Sequence, residues 1–128
     1  RLLPQLSSSA QPLTRDDVVD LVTSEAAHVL VARDDEGGVV GSMTLVVFRI
    51  PTGWRAWIED VVVDGEARGL GVGEALNRHA IDLAYGLGAK TIDLTSRPSR
   101  EAANRLYLKL GFKERETNIY RHNPAGQA

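Results

Sequence analysis

The residues of this chain with the clearest chemical potential lie in a glycine-rich loop, Arg68-Gly-Leu-Gly-Val-Gly, between an apolar strand pattern and a helical pattern. Gly69, Gly71 and Gly73 lack the Cβ atoms that would keep an anion away from the backbone. The helix predicted to begin near Gly71 turns its unpaired N–H groups and its positive dipole end toward the same place, and Arg68 adds a charge-assisted contact. The loop therefore predicts a phosphate-binding site. The alternative is a tight strand-to-helix turn that needs glycine only for its dihedral angles.

Spacing excludes two common phosphate-binding motifs. A Walker loop requires Gly-Lys-Ser or Gly-Lys-Thr after its spacer, and the chain contains no such triplet. The dinucleotide fingerprint requires glycine two and then three positions onward, but the series from Gly69 reaches Gly71 and then Glu74. The remaining pattern, Arg68-x-x-Gly71-x-Gly73, resembles the coenzyme A signature of the GCN5-related N-acetyltransferase (GNAT) family.

Other landmarks of that family occur in the family's order between Val29 and Phe112. An apolar strand over residues 57–63 precedes the loop, and a long helical pattern over residues 71–87 follows it. A strand is then predicted over residues 91–95. The last landmark is a helix with Ala-x-x-x-Tyr that closes on Leu-Gly-Phe, matched here by Ala103, Tyr107, Leu110, Gly111 and Phe112.

The resemblance implies a mixed α/β fold with a mostly antiparallel sheet, a V-shaped splay between two parallel strands, and flanking helices. It also implies an N-acetyltransferase that moves the acetyl group of acetyl-CoA directly to a primary amine in a ternary complex. In the family, the loop holds the pyrophosphate, and the pantetheine arm pairs with backbone that the splay exposes. The residues implied to bind the coenzyme are Val61, Val62, Val63, Arg68, Gly69, Leu70, Gly71, Val72, Gly73, Glu74, Arg100 and Asn104.

The last helix departs from the family pattern at one position. Many members carry asparagine seven residues before the tyrosine, where this chain has Arg100, so Asn104 is the candidate to supply that polar contact. Tyr107 lies on the same helical face as Arg100. The resemblance implies that the Tyr107 hydroxyl acts as general acid toward the departing coenzyme sulfur. The alternative is a core residue with an exposed tip.

A base is also useful, because an alkyl ammonium with a pKa near about 10 is almost entirely protonated at neutral pH. Glu59 is the candidate, since the resemblance places a carboxylate here in several members, acting directly or through water. Strand alternation puts Asp60 on the opposite face with Ile58 and Val62, which predicts a buried Asp60. Asp60 or bulk water is the alternative base, and a solvated acid is the alternative role for Glu59.

The acceptor amine is less defined by the sequence. The strand over residues 58–63 resembles the corresponding strand of glucosamine-6-phosphate acetyltransferases, which favours a small-molecule amine over a peptide amine. Trp54 and Trp57 are candidates either to line the acceptor side or to pack in the sheet. A non-catalytic acyl-CoA-binding sensor or partner module would use the same loop. Glu59 and Tyr107 favour the enzyme, because a pure binder needs neither a base nor an acid near the thioester.

Composition limits the class of protein. A chain of 128 residues with 43% hydrophobic content predicts one domain over residues 1–128. The formal net charge of -2 and the mixing of opposite charges predict no nucleic-acid binding. The absence of cysteine excludes disulfides and a cysteine acyl-enzyme, and three scattered histidines predict no metal site. No apolar run is long enough to cross a membrane and no signal peptide opens the chain, so we expect a cytoplasmic protein without a membrane partner. A homodimer is left open.

The predicted elements begin with a capping box of Thr14 and Asp17, which starts a helix ending near Ser24 with an apolar stripe. Strands over residues 28–32, 39–48 and 54–63 follow as antiparallel hairpins with turns at 34–38 and 51–53. Gly41 is expected to mark a bulge.

The remaining expectations concern the two ends of the chain. Ser99 is predicted to cap the last helix, and Gly111 to close it in a left-handed conformation. Residues 113–121 are predicted to form a final hairpin, and residues 123–128 a frayed tail. Residues 6–12 have loop composition. Family members usually begin with a strand, and residues 1–12 contain no convincing one, so we expect that strand to be missing.

Overall fold

The computed structural model describes residues 2–6 and 11–125, and these divide into two compact units between Thr95 and Ser96. The first unit contains α1 (Leu3–Leu6), α2 (Arg15–Thr23), β1 (Ala27–Arg33), β2 (Val39–Ile50), β3 (Gly53–Val63), a 3₁₀ turn (Gly65–Ala67), α3 (Val72–Gly86) and β4 (Thr91–Asp93). The second unit contains α4 (Glu101–Lys109).

The four strands form one sheet in the order β1-β2-β3-β4. The first two pairings are antiparallel and the pairing of β3 with β4 is parallel. This parallel pairing covers only Arg55, Ala56 and Trp57 of β3, so the stretch from Ile58 to Val63 runs beyond its partner. The predicted mixed α/β fold is therefore confirmed: a mostly antiparallel sheet with one parallel pair of strands and flanking helices. The V-shaped splay between the parallel strands stays a prediction.

The core of the first unit lies between α3 and one face of the sheet. Met43 and Leu45 of β2 are fully buried, and they alternate with half-buried neighbours as a strand covered on one face requires. Gly41 lies on the same face, against the side chains of Val72 and Leu76 in α3. Its place next to an irregular pairing with β1 agrees with the predicted bulge.

The capping box of α2 is present as predicted. The Thr14 hydroxyl accepts the Asp17 N–H at 3.1 Å, and the Asp17 carboxylate accepts the Thr14 N–H at 2.9 Å. The Thr14 backbone N–H, and to a smaller extent the Thr14 hydroxyl, hydrogen-bond the charged Asp17 carboxylate, so they lower the pKa of Asp17 below its ordinary range. The helix ends at Ser24, but Val18, Val19 and Val22 of its apolar stripe are exposed.

The two predicted termini of α4 have different outcomes. Gly111 has φ 98°, and the Phe112 N–H donates to the Tyr107 carbonyl at 2.9 Å, which confirms the left-handed closure. The predicted Ser99 cap is wrong, because the helix begins after Arg100. The Arg97 carbonyl accepts the Arg100 N–H at 3.0 Å, and this turn delays the helix by one residue.

The hairpin predicted over residues 113–121 is wrong, since this stretch contains no strand. Its first half is charged, and the side chains of Ile119 and Tyr120 are 66% and 88% exposed, so the segment buries little apolar surface against which a hairpin could form. Residues 123–125 are exposed and irregular, whereas 126–128 and residues 7–10 of the predicted early loop lie outside the described residues. No helix in the described part of the chain could cross a membrane.

Candidate active site

The entrance to the glycine-rich loop is held by backbone hydrogen bonds from three directions. The Asp64 N–H donates to the Val40 carbonyl of β2 at 2.8 Å. The Asp64 carboxylate accepts the Glu66 N–H at 3.1 Å and thereby caps the 3₁₀ turn. The Gly65 N–H donates to the Gln5 side chain of α1 at 2.9 Å. The end of β3 therefore delivers the chain into the loop along a defined path.

Gly69 and Gly71 use both properties that glycine offers. Their φ angles are 85° and 80°, in the left-handed region that other residues enter at a cost. A Cβ atom built on either would meet no atom within 4 Å. The dihedral requirement proposed as the alternative is therefore real, but the surface in front of both glycines is also open.

The N-terminus of α3 has no side-chain cap. Its N-cap residue is Gly71, and the first helical bond runs from the Ala75 N–H to the Gly71 carbonyl at 3.0 Å. Among the described residues, the N–H groups of Val72 and Gly73 have no acceptor. This differs from α2, where side chains of the capping box accept the N–H groups of the N-cap residue Thr14 and the third helical residue Asp17. An uncapped N-terminus with its positive dipole end is suited to bind an anion.

Two charged side chains flank this helix start. The Arg68 guanidinium is exposed and makes no hydrogen bond or ion pair within residues 2–6 and 11–125. The Glu74 carboxylate instead accepts the Arg78 Nε at 3.0 Å, one helical turn further along. Arg68 is thus available to an anionic ligand, and Glu74 is drawn along the helix.

The strand before the loop contains a bulge at Asp60. Thr44 pairs with Glu59 and Ser42 pairs with Val62, so Asp60 and Val61 together oppose the single residue between Ser42 and Thr44. Asp60 has φ 53°, which only a local irregularity explains. The predicted alternation is therefore wrong here, because one extra residue in the strand resets it.

As a consequence, the two carboxylates at positions 59 and 60 are both exposed, while Ile58 and Val62 are buried. Glu59 pairs with Thr44, on the sheet face opposite the one that α3 covers. Glu59 is therefore accessible to solvent. Because Asp60 is exposed, burial gives no reason to assign it a structural role.

The backbone of residues 61–63 lies beyond the last β4 partner of β3. Val62 is buried and its two valine neighbours are half-buried, so their side chains serve the packing of the sheet. Trp57 is half-buried, and Trp54 is 41% exposed at the far end of the same strand.

In the second unit, Tyr107 is 7% exposed, and burial raises its pKa above the usual tyrosine value, with a smaller opposing effect from the Arg100 charge. Its hydroxyl is therefore protonated at neutral pH. Asn104 is partly committed, because its amide nitrogen donates to the Arg97 carbonyl at 3.0 Å. Its side-chain oxygen and its second amide hydrogen are left for the polar contact expected of it.

The first unit thus brings Glu59, residues 61–63 and residues 68–74 onto one continuous strand-loop-helix segment. The second unit places Arg100, Asn104 and Tyr107 at α4. The sequence prediction missed Gln5, since no local pattern indicates a hydrogen bond to a residue sixty positions away.

The cavity found in the structure contains none of these residues. An open cavity of about 570 Å³ is lined by residues 11–13, 17, 20, 21, 24 and 27, around α2. The described residues contain no cluster of three or more histidine or carboxylate side chains that could hold a metal ion.

Comparison with known proteins agrees with this geometry. Residues 3–112 match the acetyltransferase (GNAT) family. Glucosamine 6-phosphate N-acetyltransferase 1 of Oryza sativa subsp. japonica is 35% identical, and the match covers 92% of this chain and 74% of the relative. A Bacillus subtilis (strain 168) protein, provisionally named a ribosomal protein bS18-alanine N-acetyltransferase, is 30% identical over 85% of this chain and 70% of its own length.

A solved structure from Agrobacterium tumefaciens str. C58, provisionally named an acetyltransferase, has a TM-score of 0.84 and 26% identity, with 95% of this chain and 89% of that chain covered. The family match extends from α1 to the Gly111–Phe112 closure of α4, and so includes every residue that the sequence placed at the site. The chain belongs to the acetyltransferase (GNAT) family and is an N-acetyltransferase.

Proposed function

We propose that this protein transfers the acetyl group of acetyl-CoA directly to the primary amine of a small molecule, in a ternary complex. The observation that carries the proposal is the uncapped N-terminus of α3, which follows two open glycines and an unpaired arginine. This arrangement suits a pyrophosphate, because backbone donors, a helix dipole and a guanidinium all favour negative charge at one place.

On the coenzyme side, the backbone of residues 69–74 and the Arg68 guanidinium bind the pyrophosphate. The pantetheine arm lies along the backbone of residues 61–63, which no β4 residue pairs with. Arg100 and the side-chain oxygen of Asn104 provide further polar contacts to the coenzyme. Leu70, 75% exposed between the two left-handed glycines, contributes through its backbone.

The reaction is a substitution at the thioester carbonyl carbon, with one proton transfer from the attacking amine and one to the leaving thiolate. Glu59, directly or through a water molecule, accepts the proton that the ammonium must lose before its nitrogen can attack the thioester carbonyl carbon. The carbon–nitrogen bond forms, the attacking nitrogen gives its second proton to solvent, the carbon–sulfur bond breaks, and Tyr107 gives its hydroxyl proton to the leaving thiolate. Glu59 passes the proton it accepted to solvent. Solvent then returns a proton to Tyr107. A cysteine acyl-enzyme is not available, since the chain has no cysteine.

A small-molecule acceptor is favoured over a peptide because the relative from Oryza sativa, with the higher identity of the two curated relatives compared, is named for a sugar phosphate amine. The Bacillus subtilis relative, named for an alanine of a ribosomal protein, keeps a peptide amine as the second candidate. Release of free coenzyme A from acetyl-CoA, measured with a panel of amino sugars and peptides, decides between them. The cytoplasmic location, the homodimer and the absence of nucleic-acid or membrane partners stay predictions.

The loop itself is tested with Arg68→Gln, because Arg68 has no partner within the described residues and its loss leaves the backbone unchanged. Calorimetric titration with acetyl-CoA should show affinity lower by about tenfold or more, with an unchanged melting temperature. Arg49→Gln is the matched control, since the same charge is removed at the opposite end of the β2–β3 hairpin, where Arg49 pairs with Trp54. Equal affinity of the Arg68 variant and the wild type would remove the loop from the site.

A further inference from the structure

Two adjacent residues of β2 hold both ends of the glycine-rich loop. The Val40 carbonyl accepts the N–H of Asp64, where the loop begins. Gly41, the next residue, meets the first helical residue after the loop: a Cβ atom on Gly41 would lie 2.7 Å from Val72 Cγ1 and 3.0 Å from Leu76 Cδ1. The start of β2 is therefore the common support of the segment between Asp64 and Val72.

The glycine at position 41 is required by space and not by its dihedral angles. Its φ does not fall in the left-handed region, whereas those of Gly69 and Gly71 do. A glycine inside a strand weakens that strand, and a close approach of another element is a usual reason for one. The close approach here is the first turn of α3.

The atoms around Gly41 have little freedom to move aside. Val72 is β-branched and lies in a helix, where such side chains keep essentially one χ1 rotamer. Leu76 is 4% exposed, and the Val62 carbonyl lies 3.4 Å from the same Cβ position on the other side. A side chain at position 41 must therefore be accommodated by lifting the N-terminal turn of α3 away from the sheet.

We propose that Gly41 is a positioning residue for coenzyme binding. By its lack of a side chain, it sets how close the first turn of α3 lies to the sheet, and so where the N–H groups of Val72 and Gly73 meet the phosphates. This inference rests on the proposed use of acetyl-CoA. Gly41 is distant in sequence from the loop and does not itself touch the coenzyme. It nevertheless controls the affinity for acetyl-CoA and not the affinity for the amine.

The test is Gly41→Ala, which adds one carbon atom at the contact. Displaced donors should lower the affinity for acetyl-CoA and raise its KM by about tenfold, because hydrogen bonds to phosphate depend steeply on position. The KM for the amine and the kcat at saturating acetyl-CoA should stay within about twofold of the wild type, since uniform binding is lost and transition-state contacts are not. A loss of folded protein would instead lower the apparent kcat and would not raise the KM for acetyl-CoA without raising the KM for the amine.

Val72→Ala supplies the rescue, because it removes the carbon atom that the new Cβ would strike. The double variant Gly41→Ala/Val72→Ala should bind acetyl-CoA nearly as tightly as Val72→Ala alone. Gly86→Ala is the matched control: it is the same substitution at an exposed glycine of α3, where a Cβ meets nothing within 4 Å, and it should leave both KM values unchanged.

The outcomes separate the two proposals. A wild-type protein that does not bind acetyl-CoA contradicts the proposed function itself. A wild type that binds, with a folded Gly41→Ala variant of equal affinity, overturns the role of Gly41 and leaves the proposed function standing. If Gly41→Ala is too unstable to titrate, the comparison of the double variant with Val72→Ala decides. Equal affinity supports the contact, and a loss of about tenfold despite the restored room overturns it.

Discussion

The rings of Tyr107 and Phe112 meet edge to face, with centroids 5.9 Å apart and planes at 73°. The Phe112 N–H also donates to the Tyr107 carbonyl, so these two residues are the two ends of the helix closure at Gly111. The ring of Tyr107 therefore stabilises the end of α4. Its hydroxyl makes no hydrogen bond within the described residues.

This separation of ring from hydroxyl makes Tyr107→Phe an informative variant. It keeps the contact with Phe112 and, if the hydroxyl is the proposed acid, loses only an interaction that strengthens as charge develops on the leaving sulfur. We expect kcat to fall by about tenfold or more while the Kd for coenzyme A changes little. Tyr107→Ala should instead lower the free energy of unfolding by about 3–5 kcal/mol. A fully active Phe variant would exclude an essential acid role.

The raised pKa of Tyr107 predicts a stability change in alkali. Burial disfavours the phenolate in the folded state, so the folded pKa lies above the unfolded value of about 10. The stabilising effect is complete below the unfolded pKa and is lost as the pH rises toward the folded one. Urea midpoints measured from about pH 8 to pH 11 should fall more steeply for the wild type than for Tyr107→Phe. Parallel curves for the two proteins would contradict the assignment.

Glu59→Gln keeps the shape of the side chain and removes its charge. If Glu59 is the base, the rate should fall by about a hundredfold or more, and the acidic limb of the pH–rate profile should disappear. Asp60→Asn is the natural control, because the adjacent carboxylate is equally exposed and asparagine tolerates the left-handed backbone found there. If the limb disappears in the Asp60 variant and persists in the Glu59 variant, the roles are reversed.

Asn77 is a candidate for stabilisation. It is 1% exposed, its amide nitrogen donates to the Gly73 carbonyl at 2.8 Å, and its buried side-chain oxygen has no partner in residues 2–6 and 11–125. Asn77→Leu has similar shape and removes the unsatisfied oxygen, so the free energy of unfolding should rise by about 1–2 kcal/mol. Asn77→Ala removes the same oxygen but leaves a gap, and should not raise it. A destabilised Leu variant would show that the oxygen is satisfied in solution.

The parts of the fold that the sequence predicts well are those set by short-range chemistry. The Thr14–Asp17 box and the Gly111 closure depend on residues within five positions of each other, and both were located correctly. The parallel pairing of β3 with β4 is predictable because a helical pattern lies between the two strands. Parallel neighbours need a long crossover of this kind, whereas antiparallel neighbours can be joined by a tight turn. In the same way, the glycine pattern located the turn from β3 into α3, with left-handed backbone at Gly69 and Gly71, and its use as an anion site stays a prediction.

What the sequence did not predict depends on partners distant along the chain. Nothing near Asp60 announces the extra residue, since the bulge arises from how β3 pairs with β2 at Ser42 and Thr44. The Ser99 cap was preferred by residue type, but the Arg97 carbonyl closes the preceding turn instead. The contact of Gly41 with Val72 is likewise visible only once α3 lies on the sheet.

The left-handed backbone at Asp60 also determines which residues this position can accept over evolutionary time. A residue there gives up about 1 kcal/mol relative to glycine, asparagine and aspartate lose least among the others, and β-branched residues are effectively barred. The residues tolerated at position 60 are therefore restricted by backbone conformation, whatever its carboxylate does, whereas position 59 has no such conformational restriction. Two neighbouring acidic residues on one strand are therefore under different constraints. Measuring the activity of all substitutions at both positions would separate the constraint of backbone conformation from the constraint of chemistry.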